Sequence, residues 1–371
     1  MAVLRNGYTT GACVAAGVKA ALLYNLGKTV DVVEIVALDG TKLKIPIQAI
    51  KKSNDTVCVE VIKFSGDDPD ITNGVSIFTS VKMLNSGAGI TYIAGEGVGT
   101  VTKPGLAVKI GEPAINPGPR QLIASVVRDL LGDEFSLEIT IAIPKGKELA
   151  KKTLNPVLGI TGGISIIGTT GVLRPMSEEA FKNSLVPQID VAKSTGFENL
   201  IFVPGKIGER IALKWQLPAA AMIQTSNFIG FMLENAAKRH IKNILLFGHI
   251  GKLSKVAAGV FYTHNRIADA RLETLAAYGA ACGLERQFVQ AILNANTAED
   301  ALSILRKTDK LTVVCNTIAN RASIRAERYV FGEVGIGTVM VDLEGNLLGL
   351  DDKAKEIGEK YKWKMPSIAI K

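Results

Sequence analysis

The second half of the chain alternates short apolar runs with amphipathic segments, and this alternation restricts the fold more than any other feature. The runs Leu200–Val203 and Asn243–Phe247 are each followed at once by a glycine-containing turn. Short strands that alternate with helices favour a parallel sheet covered on both faces. We therefore predict a Rossmann-like α/β domain with a small parallel sheet. Helical patterns near these runs lie at Ser177–Thr195, Ser226–His240 and Asn265–Cys282.

The first half has a mixed pattern of helix and strand. Small apolar residues recur at helical spacing from Thr9 to Leu26. A length of 371 residues is typical of two domains. We predict an N-terminal mixed α+β domain over residues 1–155 and a C-terminal α/β domain over 156–371, with a boundary between 150 and 196. Further strands are expected at Val30–Val36, Lys42–Ile47, Thr56–Phe64, Val75–Leu84, Ile90–Ala94 and Ser136–Ile143, and a helix at Arg120–Leu131.

Cysteine spacing and hydropathy indicate the cellular compartment of such a chain. The four cysteines lie far apart and have no metal-ligand spacing, so they are expected to be reduced in the cytoplasm, without a metal site in the protein. The first residues have no signal-peptide pattern. The uncharged run Leu154–Leu173 is rich in glycine and threonine, which suits a buried strand followed by a loop better than a membrane span.

The formal net charge of +8 predicts an anionic partner. Nucleic acid is disfavoured because basic residues are scattered, aromatic residues make up only 6%, and the two do not interleave. An anionic membrane is a further candidate. An acidic small molecule fits the charge best.

The loop after the second apolar run, Gly248–Ser254, is the most informative motif. It follows a strand pattern and opens a helix, the position in which backbone N–H groups bind anions, and Lys252 adds a full charge. The spacing is not that of a Walker A loop, because the first glycine is two residues too close to the Gly-Lys pair. An anion site and a plain glycine turn with a solvated lysine both remain open here.

Three histidines occur in the chain: His240, His249 and His264. His240 ends a helical pattern, where interaction with the helix dipole explains it. His249 and His264 lie in loops that flank one short helical segment and are candidates for lining a cleft. A lone histidine is more often structural than catalytic, so both interpretations stand.

Several segments, taken together and in order, resemble the cobalt-precorrin-5B C1-methyltransferases of the anaerobic cobalamin pathway. The likeness extends over nearly the whole chain up to about Ala280. Small departures from the family pattern occur at Gly118, Ile250 and Asn265. The segments are Arg5–Cys13, Gly95–Thr100 with Thr102–Leu106, Gly111–Arg120, Leu158–Gly171 with Pro175–Ser177, Gly248–Lys252, and Ala257–Gly259 with Thr263–His264 and Ala268–Arg271.

The resemblance implies methyl transfer from S-adenosylmethionine to C-1 of cobalt-precorrin-5B, giving cobalt-precorrin-6A, by an enzyme with an N-terminal α+β and a C-terminal α/β domain. Cobalt then arrives as part of the substrate. A non-catalytic tetrapyrrole carrier, and an anion- or nucleotide-binding module using the loop 248–252, are the alternatives. Oligomeric state, direct recognition of cobalt and the role of residues after 280 are left open.

Family match and loop placement together suggest the site residues. S-Adenosylmethionine is expected against glycine loops of the second half, and the carboxylates of the tetrapyrrole against cations and hydroxyls. The histidines are candidates for catalysis by positioning or proton transfer. The residues are Gly205, Gly208, Gly248 and Gly251 for the methyl donor, Tyr8, Thr9, Thr10, Arg120, Lys252 and Arg271 for the tetrapyrrole, and His249 and His264 for catalysis.

Overall fold

The computed structural model describes residues 4–360 and Lys362 and is a mixed α/β protein with several sheets, some with parallel strands. It divides into two compact units, Met1–Glu178 and Glu179–Lys371. The domain boundary from the sequence, at 155/156 within an interval of 150–196, remains a prediction. Residues 160–173 belong to the first unit, because their short strands form hydrogen bonds with strands near residues 8, 98 and 101.

The elements of the first unit follow in chain order. Its strands are β1 (Gly7–Tyr8), β2 (Val32–Val36), β3 (Lys42–Pro46), β4 (Ala49–Ser53), β5 (Thr56–Ile62), β6 (Ser76–Met83), β7 (Gly89–Ala94), β8 (Gly97–Val98), β9 (Thr100–Val101), β10 (Ser136–Ala142), β11 (Ile160–Thr161), β12 (Gly163–Ile164) and β13 (Val172–Leu173). Its helices are α1 (Thr10–Asn25), α2 (Pro117–Leu131), α3 (Gly146–Ala150) and α4 (Asn155–Leu158).

A five-stranded sheet forms the core of the first unit, in the order β4-β5-β6-β10-β7. Neighbouring strands are antiparallel except for β10 and β7. Helix α1 packs against β5, β6 and α2, and small apolar residues around most of its circumference allow burial on several sides. At Gly17 a Cβ atom would lie 2.7 Å from Thr79 Oγ1, so only glycine permits this approach to β6.

The region 154–173 differs from the expected buried strand followed by a loop. It contains the short helix α4 and three strands of two residues each, β11, β12 and β13. A Cβ atom at Gly163 would lie 1.9 Å from the carbonyl oxygen of Gly97 in β8. The glycines of this region therefore allow backbones to pack together, which breaks the chain into short pieces.

The second unit is built of longer alternating elements. Its strands are β14 (Asn199–Val203), β15 (Met222–Gln224), β16 (Asn243–His249), β17 (Gly335–Val341) and β18 (Leu347–Leu350). Its helices are α5 (Glu178–Leu185), which begins at the last residue of the first unit, α6 (Pro187–Ser194), α7 (Lys206–Lys214), α8 (Ile229–Ala237), α9 (Ile250–Ala257), α10 (Arg271–Ala281), α11 (Arg286–Leu293), α12 (Ala298–Leu305), α13 (Leu311–Tyr329) and α14 (Asp352–Lys360), with a 3-10 turn at Ala219–Ala221.

Its sheet has the order β15-β14-β16-β17-β18, with β18 antiparallel to β17 and the other pairs parallel. Strands β14 and β16 are buried on both faces, which explains why their sequences are apolar without alternation. Helices α7 and α14 contact the sheet, as do α9 and α13. The pattern Ser177–Thr195 forms two helices, α5 and α6, separated before Pro187, whose nitrogen cannot donate a helical hydrogen bond.

Candidate functional site

The parallel strands of the second unit end together, and four of the eight polar residues singled out from the sequence lie in this unit. Strand β16 pairs with β17 up to His249 opposite Val341. Strand β14 ends at Val203, beside Gln224 of β15. Because parallel strands share one carboxyl edge, the turns that follow them form one surface, the usual ligand side of such sheets. We refer to it as the carboxyl edge.

His249 is the last residue of β16 and the N-cap of α9. Its Nδ1 accepts a hydrogen bond from the Gly251 N–H at 3.2 Å, and its Nε2 lies 2.8 Å from Glu299 Oε1. Since Nδ1 is an acceptor, the ring proton belongs on Nε2, which donates to the carboxylate. The ring therefore orients the start of α9 and is itself held by Glu299.

Glu299 connects His249 to a second acid that sequence reasoning missed. Arg306 lies 3.9 Å from Glu299 Oε2 and donates to Asp342 Oδ2 at 2.8 Å. Asp342 directly follows β17 and is 1% exposed. Burial acts to raise the pKa of Asp342, but hydrogen bonds from Asn346 and the backbone, with the charge of Arg306, outweigh it and lower the pKa. Recognition of β17 in the glycine-rich stretch 332–337 would have placed Asp342 at a strand end.

Lys252 lies in the first turn of α9 and donates to Asn227 Oδ1, in the turn after β15. The side chain is half-buried. Burial lowers the pKa of Lys252, and the nearby charges of Lys255 and Arg271 lower it further. Three cations thus meet near one carboxylate, Asp269, so this part of the carboxyl edge carries an excess of positive charge.

Lys255 is fully buried and is a further residue that sequence reasoning passed over. Its Nζ donates to Asn265 Oδ1 at 2.7 Å and to the Ala268 and Thr263 carbonyl oxygens at 2.9 and 3.3 Å. Burial lowers the pKa of Lys255, Asp269 opposes that effect, and Arg271 adds to it. These bonds hold the loop between α9 and α10 against α9.

His264 and Arg271 are placed by this loop. His264 Nδ1 accepts from the Arg266 N–H at 3.1 Å, and its ring lies 6.2 Å from that of Tyr262. Arg271, the first residue of α10, donates to both carboxylate oxygens of Asp269 at 2.6 Å. The structure thus brings Lys252, Arg271 and the His264 loop into one region, and leaves the His249 ring bonded to Glu299.

Two buried hydroxyls near Asn227 have no hydrogen-bond partner among the residues that the structure describes. Thr225 and Thr263 are both 0% exposed, and Thr263 N–H donates to the Asn227 carbonyl oxygen at 2.9 Å. An unpaired buried hydroxyl costs about 1–3 kcal/mol, so such groups require an explanation. Neither hydroxyl is open to solvent in this structure, and the buried Ser254 hydroxyl of α9 is unpaired in the same way.

The four glycines proposed for the methyl donor fall into two groups. A Cβ atom would lie 3.2 Å from the Phe247 carbonyl oxygen at Gly208, 3.0 Å from Pro204 at Gly248 and 3.1 Å from His249 Nδ1 at Gly251. These three glycines allow close packing of protein atoms. Gly205 is different, because its φ is 154° and no atom lies within 4 Å of a Cβ built there.

The first-unit residues proposed from the sequence mostly serve the fold. Thr9 caps α1 by accepting from the Ala12 N–H at 3.2 Å. The Thr10 hydroxyl donates to the Ile167 carbonyl oxygen at 3.2 Å and accepts from its N–H at 2.9 Å. Tyr8 differs, because it lines an open cavity together with Phe64.

Arg120 is already paired in the structure. Its guanidinium donates to Glu112 Oε2 at 2.7 Å and to the Ile115 carbonyl oxygen at 2.9 Å, and it lies 5.2 Å from the ring centre of Tyr92. A substrate carboxylate would have to share or displace Glu112.

Metal-binding clusters and membrane-spanning helices can be assessed for the described residues. No group of three or more His, Cys, Asp or Glu side chains suited to a metal ion occurs among residues 4–360 and Lys362. None of the helices in that part of the chain combines the length and hydropathy needed to span a bilayer. All four cysteines are free, and burial raises the pKa of Cys13 and of Cys315 to about 12.

Comparison with known proteins places the chain in a family. Residues 1–175 match the family model of CbiD, and residues 262–352 match that of the CbiD C-terminal domain. A cobalt-precorrin-5B C(1)-methyltransferase of Moorella thermoacetica is 48% identical over 356 residues, 95% of this chain and 97% of that protein. One from Methanocaldococcus jannaschii is 48% identical over 346 residues, 92% and 95% of the two chains. The chain belongs to the CbiD family.

The match to the CbiD C-terminal domain takes in His264, Arg271 and Glu299, together with Asp342. The glycine loops 204–208 and 248–252 lie between the two matched segments.

Among solved structures, the 1.9 Å crystal structure of the cobalamin biosynthesis protein cbiD from Archaeoglobus fulgidus is 26% identical. It covers 73% of this chain and 84% of its own, with a TM-score of 0.37. At that TM-score the superposition supports no conclusion about the fold.

Proposed function

We propose that this CbiD-family protein transfers the methyl group of S-adenosylmethionine to C-1 of cobalt-precorrin-5B, giving cobalt-precorrin-6A, in anaerobic cobalamin biosynthesis. The observation that carries the proposal is the 48% identity over 95% of the chain to a relative with that activity in its name. The net charge of +8 suits a substrate with several carboxylates. Cobalt enters as part of that substrate.

S-Adenosylmethionine supplies an activated methyl group on a sulfonium centre. We assign its binding to the carboxyl edge, at the loops with Gly205, Gly208, Gly248 and Gly251. Gly205 offers open space above its Cα, while the other three shape the loops by close packing.

The protein's own contribution is positioning and exclusion of water rather than covalent catalysis. In-line transfer requires the donor and C-1 to be held in a fixed orientation, and such alignment is worth several kcal/mol of barrier. The two buried cysteines, whose thiol pKa values are raised to about 12, are unsuited to act as nucleophiles.

We assign the substrate carboxylates to Lys252 first, because its partner is a neutral amide and not a carboxylate. Arg271 and Arg120 contribute by sharing their present carboxylate partners. The Tyr8–Thr10 segment contributes through the Tyr8 hydroxyl, since both threonine hydroxyls are bonded to the backbone.

Management of a proton on the macrocycle falls to His264 or His249. His264 lies in the loop that also contains Asp269. Asp269 pairs with Arg271, whose charge acts on Lys252. His249 carries its proton on Nε2 toward Glu299, so it would act by orienting α9 or, if that contact opened, by donating the proton.

Finer aspects of the architecture belong to this proposal as well. We propose that the second unit is a Rossmann-like domain, on the strength of its four parallel strands with helices beside them. The N-terminal α+β domain, with a boundary between 150 and 196, is proposed on the sequence pattern. We place the protein in the cytoplasm, without a nucleic-acid partner.

Isothermal titration with S-adenosylmethionine and S-adenosylhomocysteine, alone and with an acidic corrinoid, tests the proposal. Donor binding that tightens with the corrinoid, and a mass gain of one methyl group on cobalt-precorrin-5B, are expected. Tetrapyrrole binding without donor binding or methylation would instead indicate a carrier. Magnesium-dependent nucleotide binding at the loop 248–252 would indicate a nucleotide-binding module.

A further inference from the structure

An open cavity in the first unit is lined by none of the glycines assigned to the methyl donor. Its volume is about 420 Å³, within the range of small-molecule sites. Apart from Tyr8, its lining residues are solvent-exposed. The complete lining consists of Tyr8, Lys44, Pro46, Gln48, Ile62 and Phe64.

Two glycines close in sequence to Tyr8 and Phe64 let backbones meet. A Cβ at Gly7 would lie 2.5 Å from the Phe64 carbonyl oxygen, and one at Gly66 would lie 2.1 Å from the Arg5 carbonyl oxygen. The resulting contact is fixed by the Tyr8 N–H, which donates to the Phe64 carbonyl oxygen at 2.9 Å. It sets the two aromatic rings beside each other, with centroids 6.0 Å apart.

The Phe64 ring is exposed yet held in place. Phe64 lies two residues after the end of β5 and is 38% exposed. The Arg5 guanidinium lies 5.7 Å from its centroid, and Asp67 holds that guanidinium through two hydrogen bonds of 3.0 and 2.7 Å. An aromatic surface kept exposed and oriented is suited to stacking on a flat ligand.

The polar groups of the cavity are donors. Lys44 makes no ion pair with any residue in the described part of the chain. Glu34, opposite Lys44 on β2, pairs instead with Lys42 at 3.2 Å. Burial raises the pKa of Tyr8 to about 12, so its hydroxyl keeps its proton at neutral pH. A cation, a phenol and the Gln48 amide beside apolar walls are complementary to an apolar ring that bears carboxylates.

We propose that this cavity binds one edge of the acidic tetrapyrrole, with a ring face on Phe64 and Ile62 and a peripheral carboxylate on Lys44. The inference rests on the proposed function, since it names where the substrate of that function is held. It adds to the substrate contacts a set of residues, Lys44, Gln48, Ile62 and Phe64, of which the sequence had suggested none. Tyr8 also lines the cavity, and it belongs to the segment Arg5–Cys13, which is one of those that resemble the family.

Binding of uroporphyrin, a stable porphyrin with eight carboxylates, tests the cavity directly through quenching of the porphyrin's own fluorescence. Lys44→Glu should weaken its binding about tenfold, because one attraction becomes a repulsion. Phe64→Leu keeps the apolar packing but removes the ring, and should weaken binding about fivefold. Lys28→Glu, an equal charge change at an exposed lysine outside the cavity, is the control and should match the wild type.

Affinity for S-adenosylmethionine, measured on the same variants, should stay at the wild-type value. Equal loss in Lys44→Glu and Lys28→Glu would overturn the cavity and indicate a general charge effect. Unchanged binding in both Lys44→Glu and Phe64→Leu would also overturn it. A wild-type protein that binds uroporphyrin at this cavity but does not methylate cobalt-precorrin-5B would contradict the proposed function and support the cavity.

Discussion

At the scale of single residues, the cations near the carboxyl edge differ in their partners. Arg271 is held by both oxygens of Asp269. Lys255 is fully buried, donates hydrogen bonds to neutral oxygens and lies 4.0 Å from Asp269 Oδ1. Lys252 is half-buried and bonded to the Asn227 amide. Burial and the neighbouring positive charges lower the pKa of Lys252, which means that the site disfavours its charge until an anion arrives.

Replacement of Lys252 with Ala should therefore affect the acidic substrate more than the methyl donor. We expect the KM for the tetrapyrrole to rise about tenfold, since a charge-assisted hydrogen bond is worth about 1.5–3 kcal/mol. The KM for S-adenosylmethionine should change little. Steady-state kinetics with each substrate varied in turn measures both, with Lys214→Ala, an exposed lysine at the end of α7, as the control. Equal rises in both KM values would contradict this assignment.

At the scale of elements, glycines set how closely helices approach the sheet of the second unit. Gly208 lies in α7 directly over the Phe247 carbonyl oxygen of β16. A Cβ at Gly337 of β17 would lie 2.5 Å from the Ala354 nitrogen of α14. These contacts explain why glycine recurs in strands and helices that are otherwise apolar.

The replacement Gly208→Val should destabilise the fold rather than remove a donor contact. Overpacking of a tight helix–strand contact costs about 1–3 kcal/mol. We expect a lower free energy of unfolding in urea, with a Kd for S-adenosylmethionine close to the wild-type value in the folded fraction. Lys214→Val, on an exposed position of the same helix, is the matched control. Lost donor affinity at unchanged stability would show that Gly208 instead contacts the ligand.

Two aspartates near β17 respond to burial in opposite ways. Burial raises the pKa of Asp351, although its carboxylate accepts from the Thr338 and Ala354 N–H groups at 3.1 and 2.8 Å. In Asp342, hydrogen bonds and Arg306 overcome the effect of burial and lower the pKa. Ionised Asp342 thus stabilises the fold at pH values above the pKa of aspartate in the unfolded chain. This stabilisation is lost as the pH falls through the pKa of Asp342 in the folded protein. Ionisation of Asp351 costs stability as pH rises through its raised pKa.

Urea unfolding of Asp342→Asn and Asp351→Asn at about pH 4 and about pH 7 should separate the two aspartates, because unfolded aspartate titrates near pH 3.9. Asp342→Asn should lose about 1–3 kcal/mol at the higher pH, since the charge-assisted hydrogen bond from Arg306 to the carboxylate is lost. Asp351→Asn should be neutral or stabilising there. A loss at neutral pH in Asp351→Asn equal to that in Asp342→Asn would contradict the assigned directions.

At the scale of the whole molecule, the excess positive charge acts on an acidic substrate from a distance. The formal net charge is +8, and interactions between exposed charges are screened beyond about 10 Å at 0.1 M salt. The substrate carries several carboxylates, whereas the methyl donor carries little net charge. The two substrates should therefore differ in their sensitivity to ionic strength.

An increase in NaCl from about 0.05 M to about 0.5 M should raise the KM for the tetrapyrrole severalfold, because screening weakens long-range attraction. The KM for S-adenosylmethionine should rise much less. Initial rates at each salt concentration measure both, and far-UV circular dichroism checks that the fold persists. Parallel changes in the two KM values would argue against charge as the basis of substrate recruitment.

Local pattern was sufficient for elements that are long or continuously apolar. Helix α1 and the strands β5, β6, β14 and β16 lie where their periodicity predicted. Strands β15 and β18 are three and four residues long, too short for a periodic signal, and β17 begins in a glycine-rich stretch that resembles a turn. Their strand geometry comes from hydrogen bonds to neighbours distant in sequence.

By itself, the sequence determined the family, the mixed α/β character and the positive charge, because these depend on composition and on short ordered motifs. Only the tertiary structure decided what each polar side chain contacts. It bonded His249 to Glu299, paired Arg120 with Glu112, and set Tyr8 beside Phe64 in a cavity. Each of these contacts joins residues from separate elements, and no local rule of spacing encodes the distance between them.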